Sequence, residues 1–266
     1  MTLQPIVPAG GIQGWRFLQH TYDRQFATFS QDPVLKRDSE YFAENISSIK
    51  TAEDLVSDRR LLRVALGAFG LEGDINNRYF VQKILSDGTS ADDALANRLA
   101  DERYKDFSDA FGFGPNSFPK TVIPSNMEAI ADRFKAQSFE IAVGEQDNDM
   151  RLALNIQREL KDLATSDMSD DAKWFTVMGN PPMRQVFETA LGLPSATGQL
   201  DIDQQLGIFK DKAAANFGSS GFSVFSTEDG IEDLTTRFLA RSQLSQFGSS
   251  FSPASTALIL LQSGSF

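Results

Sequence analysis

At 266 residues the chain can bury roughly 70–75% of its unfolded surface, as one large domain or two modest ones. Its 41% hydrophobic and 23% charged residues are those of a soluble globular protein, and the longest strongly apolar run, residues 257–261, is far too short to cross a bilayer. A net charge of −11, with only Arg59, Arg60 and Arg63 close together, argues against nucleic-acid binding, and the lack of cysteine removes disulfides, thiolate catalysis and the usual structural zinc sites.

The start, MTLQPIVPAGGIQGW, has no basic region followed by an apolar stretch and no small-residue cleavage site. It does not read as a Sec-type signal peptide, and residues 1–14 form an N-terminal extension. The single histidine, His20, lies in FLQHTYDRQF beside no nucleophile signature and reads as a surface or half-buried helical residue. YDRQFATFSQ and DPVLKRDSEYFAENISSI follow as helices.

The next segment, LLRVALGAFGL, carries apolar Leu61, Val64, Ala65, Ala68 and Phe69 at i, i+3, i+4, i+7 and i+8. MRQVFETALGL repeats those steps at Met183, Val186, Phe187, Ala190 and Leu191. Asp58 and Asn180 stand three positions before each stripe as N-caps, whose side-chain oxygens can accept unpaired backbone N–H groups. Gly70 and Gly192 follow each stripe as helix stops, with Leu71 and Leu193 placed for the hydrophobic contact of a Schellman motif.

Downstream features recur in the same order. Ile75 and Tyr79 of DINNRYFVQKIL correspond to Ile202 and Leu206 of DIDQQLGIFKDK, and SADD and STED place further N-caps at Ser90 and Ser226. FGFGPNSFP and FGSSFSP then match, with the extra residues of the second copy confined to loop-like text. Period-2 alternation is almost absent, SGFSVFS being the one plausible short strand or loop. The expected fold is therefore all-α, as two tandem divergent multi-helix repeats. Residues 15–115 form the first and 128–253 the second, joined by a 116–127 linker and followed by a 254–266 apolar tail.

Catalytic vocabulary is sparse. The acidic stretches EQDND, SDMSDD and EGDIN lack calcium-loop order and read as helix caps and solvated loops. GAFGLEG and FGFGPN follow no strand and fit no phosphate-loop pattern. Arg59, Arg60 and Arg63 are expected to pair with local acids such as Glu53 and Asp54. No catalytic, metal or cofactor residue is assigned.

The compositional oddity is 22 Phe against four Tyr and two Trp. Phe111, Phe113, Phe118, Phe222, Phe225, Phe247 and Phe251 lie outside the helical stripes in Gly- and Ser-rich text. They either fold back as plugs between helices or stay accessible as anchors for a partner protein.

DRRLLRVALGAFGL, NRYFVQKILSDG and AFGFG, with GWRFLQ near the start, resemble an alphaproteobacterial family known as domain of unknown function 1217. The resemblance spans most of the chain and brings no catalytic residues with it. It implies a flagellum-associated context and protein partners, in the cytoplasm or exported with the flagellum. The sequence thus reads as a non-enzymatic interaction or structural accessory protein. The alternative is a small-molecule or peptide binder, conceivably a carboxylate-based hydrolase, with a groove between the repeats lined by converging acids or arginines.

Overall fold

The computed structural model describes residues 4–250, with side chains through residue 246. Those residues contain α-helices and short 3₁₀ turns and no strand. In chain order the helices are α1 (Gly11–Phe29), α2 (Pro33–Asn45), α3 (Ala52–Ser57), α4 (Arg59–Ala68), α5 (Arg78–Asp87) and α6 (Arg103–Phe111). Then come α7 (Pro124–Gly144), α8 (Asn148–Thr165), α9 (Asp170–Gly179), α10 (Pro181–Leu191), α11 (Ile202–Phe217) and α12 (Glu228–Ser250). SGFSVFS is no strand: Phe222–Ser226 form a 3₁₀ turn because Phe222 and Phe225 both insert into the core.

Side-chain caps start most of these helices. The Asp58 carboxylate accepts from the backbone N–H groups of Arg60 and Leu61, at 2.9 and 3.1 Å, and the Asn180 carbonyl oxygen from that of Met183 at 3.2 Å. Ser90 and Ser226 do not cap helices. After Ser90 the chain turns into a 3₁₀ segment, Leu95–Arg98, because the Asn97 amide donates to the Thr89 and Ala91 carbonyls and the Asp87 carboxylate accepts from the Leu95 N–H. The Ser226 hydroxyl donates to the Ser223 carbonyl, and Thr227 caps α12 instead, accepting from the Gly230 N–H at 3.2 Å.

The ends of α4 and α10 share one geometry. Gly70 and Gly192 both have φ of +67°, the left-handed region that a Cβ disfavours. In each, the glycine N–H donates back three residues, Gly70 to Gly67 and Gly192 to Thr189. The following leucine donates back five, Leu71 to Leu66 at 3.0 Å and Leu193 to Glu188 at 2.8 Å, which completes a Schellman motif. Leu71 is buried, and Leu193 is half-buried against the neighbouring core.

Two apolar cores result, and packing crosses the 116–127 connection in both directions. One gathers α2 to α6 and takes Met127, Ile130, Ala131 and Phe134 from the N-terminal part of α7. The other gathers α8 to α12 around Trp174, Phe187 and Phe209, with Phe139 and Val143 from the rest of α7 and Trp15 and Leu18 from α1. Gly67 admits α7 closely to α4, since a Cβ there would stand 2.8 Å from the Phe134 ring. Phe139 in turn meets the edges or faces of Tyr22, Phe26 and Phe29, at centroid separations of 5.4, 5.7 and 5.5 Å.

Polar side chains fix the same helices. The Glu232 carboxylate of α12 accepts from the Trp15 indole and Gln19 amide of α1 and the Gln157 amide of α8. Between α7 and α8, Arg158 grips the buried Glu140 with two hydrogen bonds, 2.7 and 3.1 Å, and also donates to Gln137 and Glu159. Arg133 donates to both oxygens of Glu159 at 2.8 and 2.9 Å.

Two stability outcomes are expected. Gly70→Ala and Gly192→Ala should each cost about 1–2 kcal/mol in urea unfolding, from the left-handed backbone they require. Gly73→Ala, where nothing lies within 4 Å and φ is not positive, should be near neutral. Arg158→Met should cost about 3–5 kcal/mol at pH 7 by stranding buried Glu140. Burial already pushes that carboxyl up, so the deficit should shrink in acid as Glu140 takes a proton, and Glu140→Gln in the same chain should recover part of it.

Candidate functional site

Three helices each turn one face toward a common trough. From α6 and its N-cap come Glu102, Lys105, Asp106, Asp109 and Ala110, at i, i+3, i+4, i+7 and i+8. From α7 come Asn126, Ala129, Ile130 and Arg133 at the same opening steps, and from α8 Glu159, Asp162 and Leu163. Phe69, Lys120, Met168, Thr176, Asn180 and Met183 complete a depression of about 680 Å³. A second depression, of about 700 Å³, shares Ala129, Arg133, Glu159 and Asp162 with it and runs on to Tyr22, Phe26 and Arg158. A third, of about 360 Å³, shares Tyr22 and Arg158 and ends at Gln19, Asp23 and Gln157. The result is one continuous trough along α7 and α8. From Asn126 to Glu140 it follows about 20 Å of helix.

The charges along it are unequally satisfied. Arg133 is held by Glu159 and lies over the Phe69 ring at 4.9 Å, Arg158 is held by Glu140, and Lys135 pairs with Asp132. Asp109 accepts a hydrogen bond from the Thr89 hydroxyl. Among the described residues, the carboxylates of Asp23, Asp106 and Asp162 make no hydrogen bond or ion pair. Asp106 stays accessible to water yet is hemmed in by the surrounding helices. Desolvation pushes its carboxyl up to about 6, with Arg133 opposing that rise and Glu159 adding to it.

The loop phenylalanines are placed differently from one another. Phe111, Phe222 and Phe225 are fully buried: Phe111 lies at the edge of Phe107, and Phe222 and Phe225 pack on Trp174 and Phe187. Phe113 is half-buried and stacks on Phe111, whereas Phe118 is 60% exposed. The Phe247 side chain, Phe251 and the 254–266 tail lie outside the described residues. His20 is exposed on α1. Arg60 and Arg63 pair with Asp38, not with Glu53 or Asp54, because Asp54 closes the capping box of α3; Arg59 donates to Asn76. The acidic stretches supply caps and turns: Asp147 caps α8, Ser169 caps α9, and Asp74 accepts from the Tyr104 hydroxyl. Among the described residues no group of three or more His, Cys, Asp or Glu side chains could hold a metal ion, and no helix is long and apolar enough to cross a membrane.

Of the trough residues, the sequence patterns single out Phe69 and Met183 as members of apolar helix stripes and Asn180 as a cap, and none as part of a site. The available signal was the i, i+3, i+4, i+7 spacing of Glu102, Lys105, Asp106 and Asp109, which resembles any solvated helix face until α7 and α8 are placed opposite it.

Fold and trough together define a twin-core helical protein with an elongated acidic surface groove. The chain belongs to the family described as Protein of unknown function (DUF1217), whose model matches residues 68–234. Every residue lining the depression at the α6 end of the trough falls inside that match. An X-ray crystal structure of a protein from Agrobacterium tumefaciens is similar in fold, with a TM-score of 0.73 at 22% identity, over 91% of this chain and 99% of that one. No curated protein matches the chain significantly.

The raised Asp106 carboxyl sets a pH-dependent outcome. Folded Asp106 keeps its proton to about pH 6, while an unfolded aspartic acid loses it near its ordinary value of 3.8. Between those values the folded state binds more protons, so stability falls as pH rises and stays lowered above the window. Asp106→Asn should therefore raise the thermal midpoint by a few degrees at pH 7–8 and leave it unchanged below about pH 4, as followed by circular dichroism across pH.

Proposed function

We propose that this protein is a non-enzymatic interaction protein that receives a polypeptide segment of its partner in the trough along α7 and α8. The observation that carries the reading is the trough's shape. Three depressions linked end to end over about 20 Å suit a helix of some 13 residues or a short extended strand better than a compact metabolite. Exposed Met168 and Ala129 supply apolar contact over a floor closed by the buried Phe69, Ile130, Leu163 and Met183, the kind of surface on which a few partner side chains carry most of the affinity.

The partner is placed in the flagellar system, on the strength of the resemblance carried by DRRLLRVALGAFGL and NRYFVQKILSDG. The chain is also read as a divergent tandem duplication. Support comes from the matching caps at Asp58 and Asn180, the matching left-handed stops at Gly70 and Gly192, and the order of α1 to α6 against α7 to α12. On that reading the trough lies where the two copies meet.

The test is capture from a motile host by the tagged full chain, beside Ala129→Trp. Ala129 is exposed in the trough wall, so the larger side chain fills the groove without entering either core. A flagellar component recovered by the parent chain and reduced at least tenfold by the variant is expected. Recovery of no flagellar component, with unchanged motility in a deletion strain, overturns the flagellar assignment; equal capture by Ala129→Trp overturns the trough as the binding site.

A further inference from the structure

Resting on the trough as the partner site, the charge pattern points to a more specific occupant. We infer that the trough selects a cationic amphipathic segment, whose lysine or arginine side chains are received by Asp106 and Asp162 at one end and Asp23 at the other, while its apolar side chains rest between them.

Each step is physical. The arginines of the trough already spend their charge on carboxylates of the fold, Arg133 on Glu159 and Arg158 on Glu140. What remains in the first depression is two carboxylates, Asp106 and Asp162, against one ammonium, Lys120, none in an ion pair among the described residues, and Asp23 alone in the third, so the balance left for a ligand is negative. An incoming ammonium or guanidinium would find a charge-assisted acceptor in a concave, partly desolvated wall, where such bonds outweigh those on open surface. A carboxylate-bearing segment would meet the same groups as repulsion, so the trough discriminates by sign as well as by fit. The chain's net charge of −11 adds long-range steering in the same direction.

The position of Asp106 supports this. Its carboxyl is pushed up by desolvation, so the fold bears a charge it would be more stable without. A cationic partner group would relieve that cost.

The experiment uses the full chain with its methionine methyl groups labelled, because Met168 and Met183 line the first depression and report occupancy there by nuclear magnetic resonance. The probes are three capped helical peptides with leucine on one face and lysine, glutamate or glutamine on the other. The lysine peptide should move the Met168 and Met183 signals saturably. The glutamate and glutamine peptides should bind at least tenfold more weakly. The double variant Asp106→Asn with Asp162→Asn should weaken the lysine peptide at least tenfold while its circular dichroism stays that of the parent. Asp92→Asn, an exposed acid outside the trough, should leave binding unchanged. Unmoved Met168 and Met183 signals, equal response to all three peptides, or full binding by the double variant overturns the inference. If partner capture still depends on Ala129, the trough stands and only its preference for cations falls.

Discussion

The structure depends on one helix serving two cores. Phe134 and Phe139 stand five residues apart on α7, about 140° around its axis, so the first enters the core built by α2 to α6 and the second the core built by α8 to α12. Neither core is complete without it. Gly67 sets how close α4 approaches, since any larger residue would meet the Phe134 ring, and the Tyr22, Phe26 and Phe29 rings close around Phe139 on the other side. A displacement of α7 would disturb both sets of contacts at once.

The remaining face of α7 carries the buried charges. Burying Glu140 is tolerable only with Arg158 bonded across to it, and that pair gives α7 and α8 a single register. Since the guanidinium also reaches Glu159, which in turn holds Arg133, one line of polar contacts runs along the trough from Glu140 to Arg133. Part of the trough wall is thus set by the same bonds that join the cores and is pre-organised before anything enters.

How far the sequence foretold this differs from feature to feature. Apolar spacing and the cap and stop residues around 58–71 and 180–193 specify α4 and α10 to within a residue at each end, because capping chemistry is local. Ser90 and Ser226 mislead for the same reason: a Ser-x-x-Asp pattern forms a box only if the chain enters a helix there. Asn97 in one case and the buried Phe222 and Phe225 in the other impose a different turn. Nothing local tells that Trp15 and Leu18 of α1 pack with α8 and α12, since that choice rests on contacts more than a hundred residues away, among them the Glu232 bonds to Trp15 and Gln19. The trough is a product of those long-range choices, which is why its residues look like ordinary solvated helix faces when read one helix at a time.

The contrast among acids gives the trough its meaning. Most carboxylates that approach the interior are answered within the fold: Asp38 by Arg60 and Arg63, Glu140 by Arg158, Asp101 by Arg103, Asp58 by its own helix and the Tyr41 hydroxyl. A fold that pairs its acids so consistently leaves Asp106 and Asp162 unanswered in the depression between α6, α7 and α8. Desolvation opposes the charge of Asp106 there, and nearby Arg133 offsets only part of that effect. A concave wall, an apolar floor and a carboxylate held against its own preference are the conditions under which an incoming cation gains most, and they occur together where α6 faces α7 and α8.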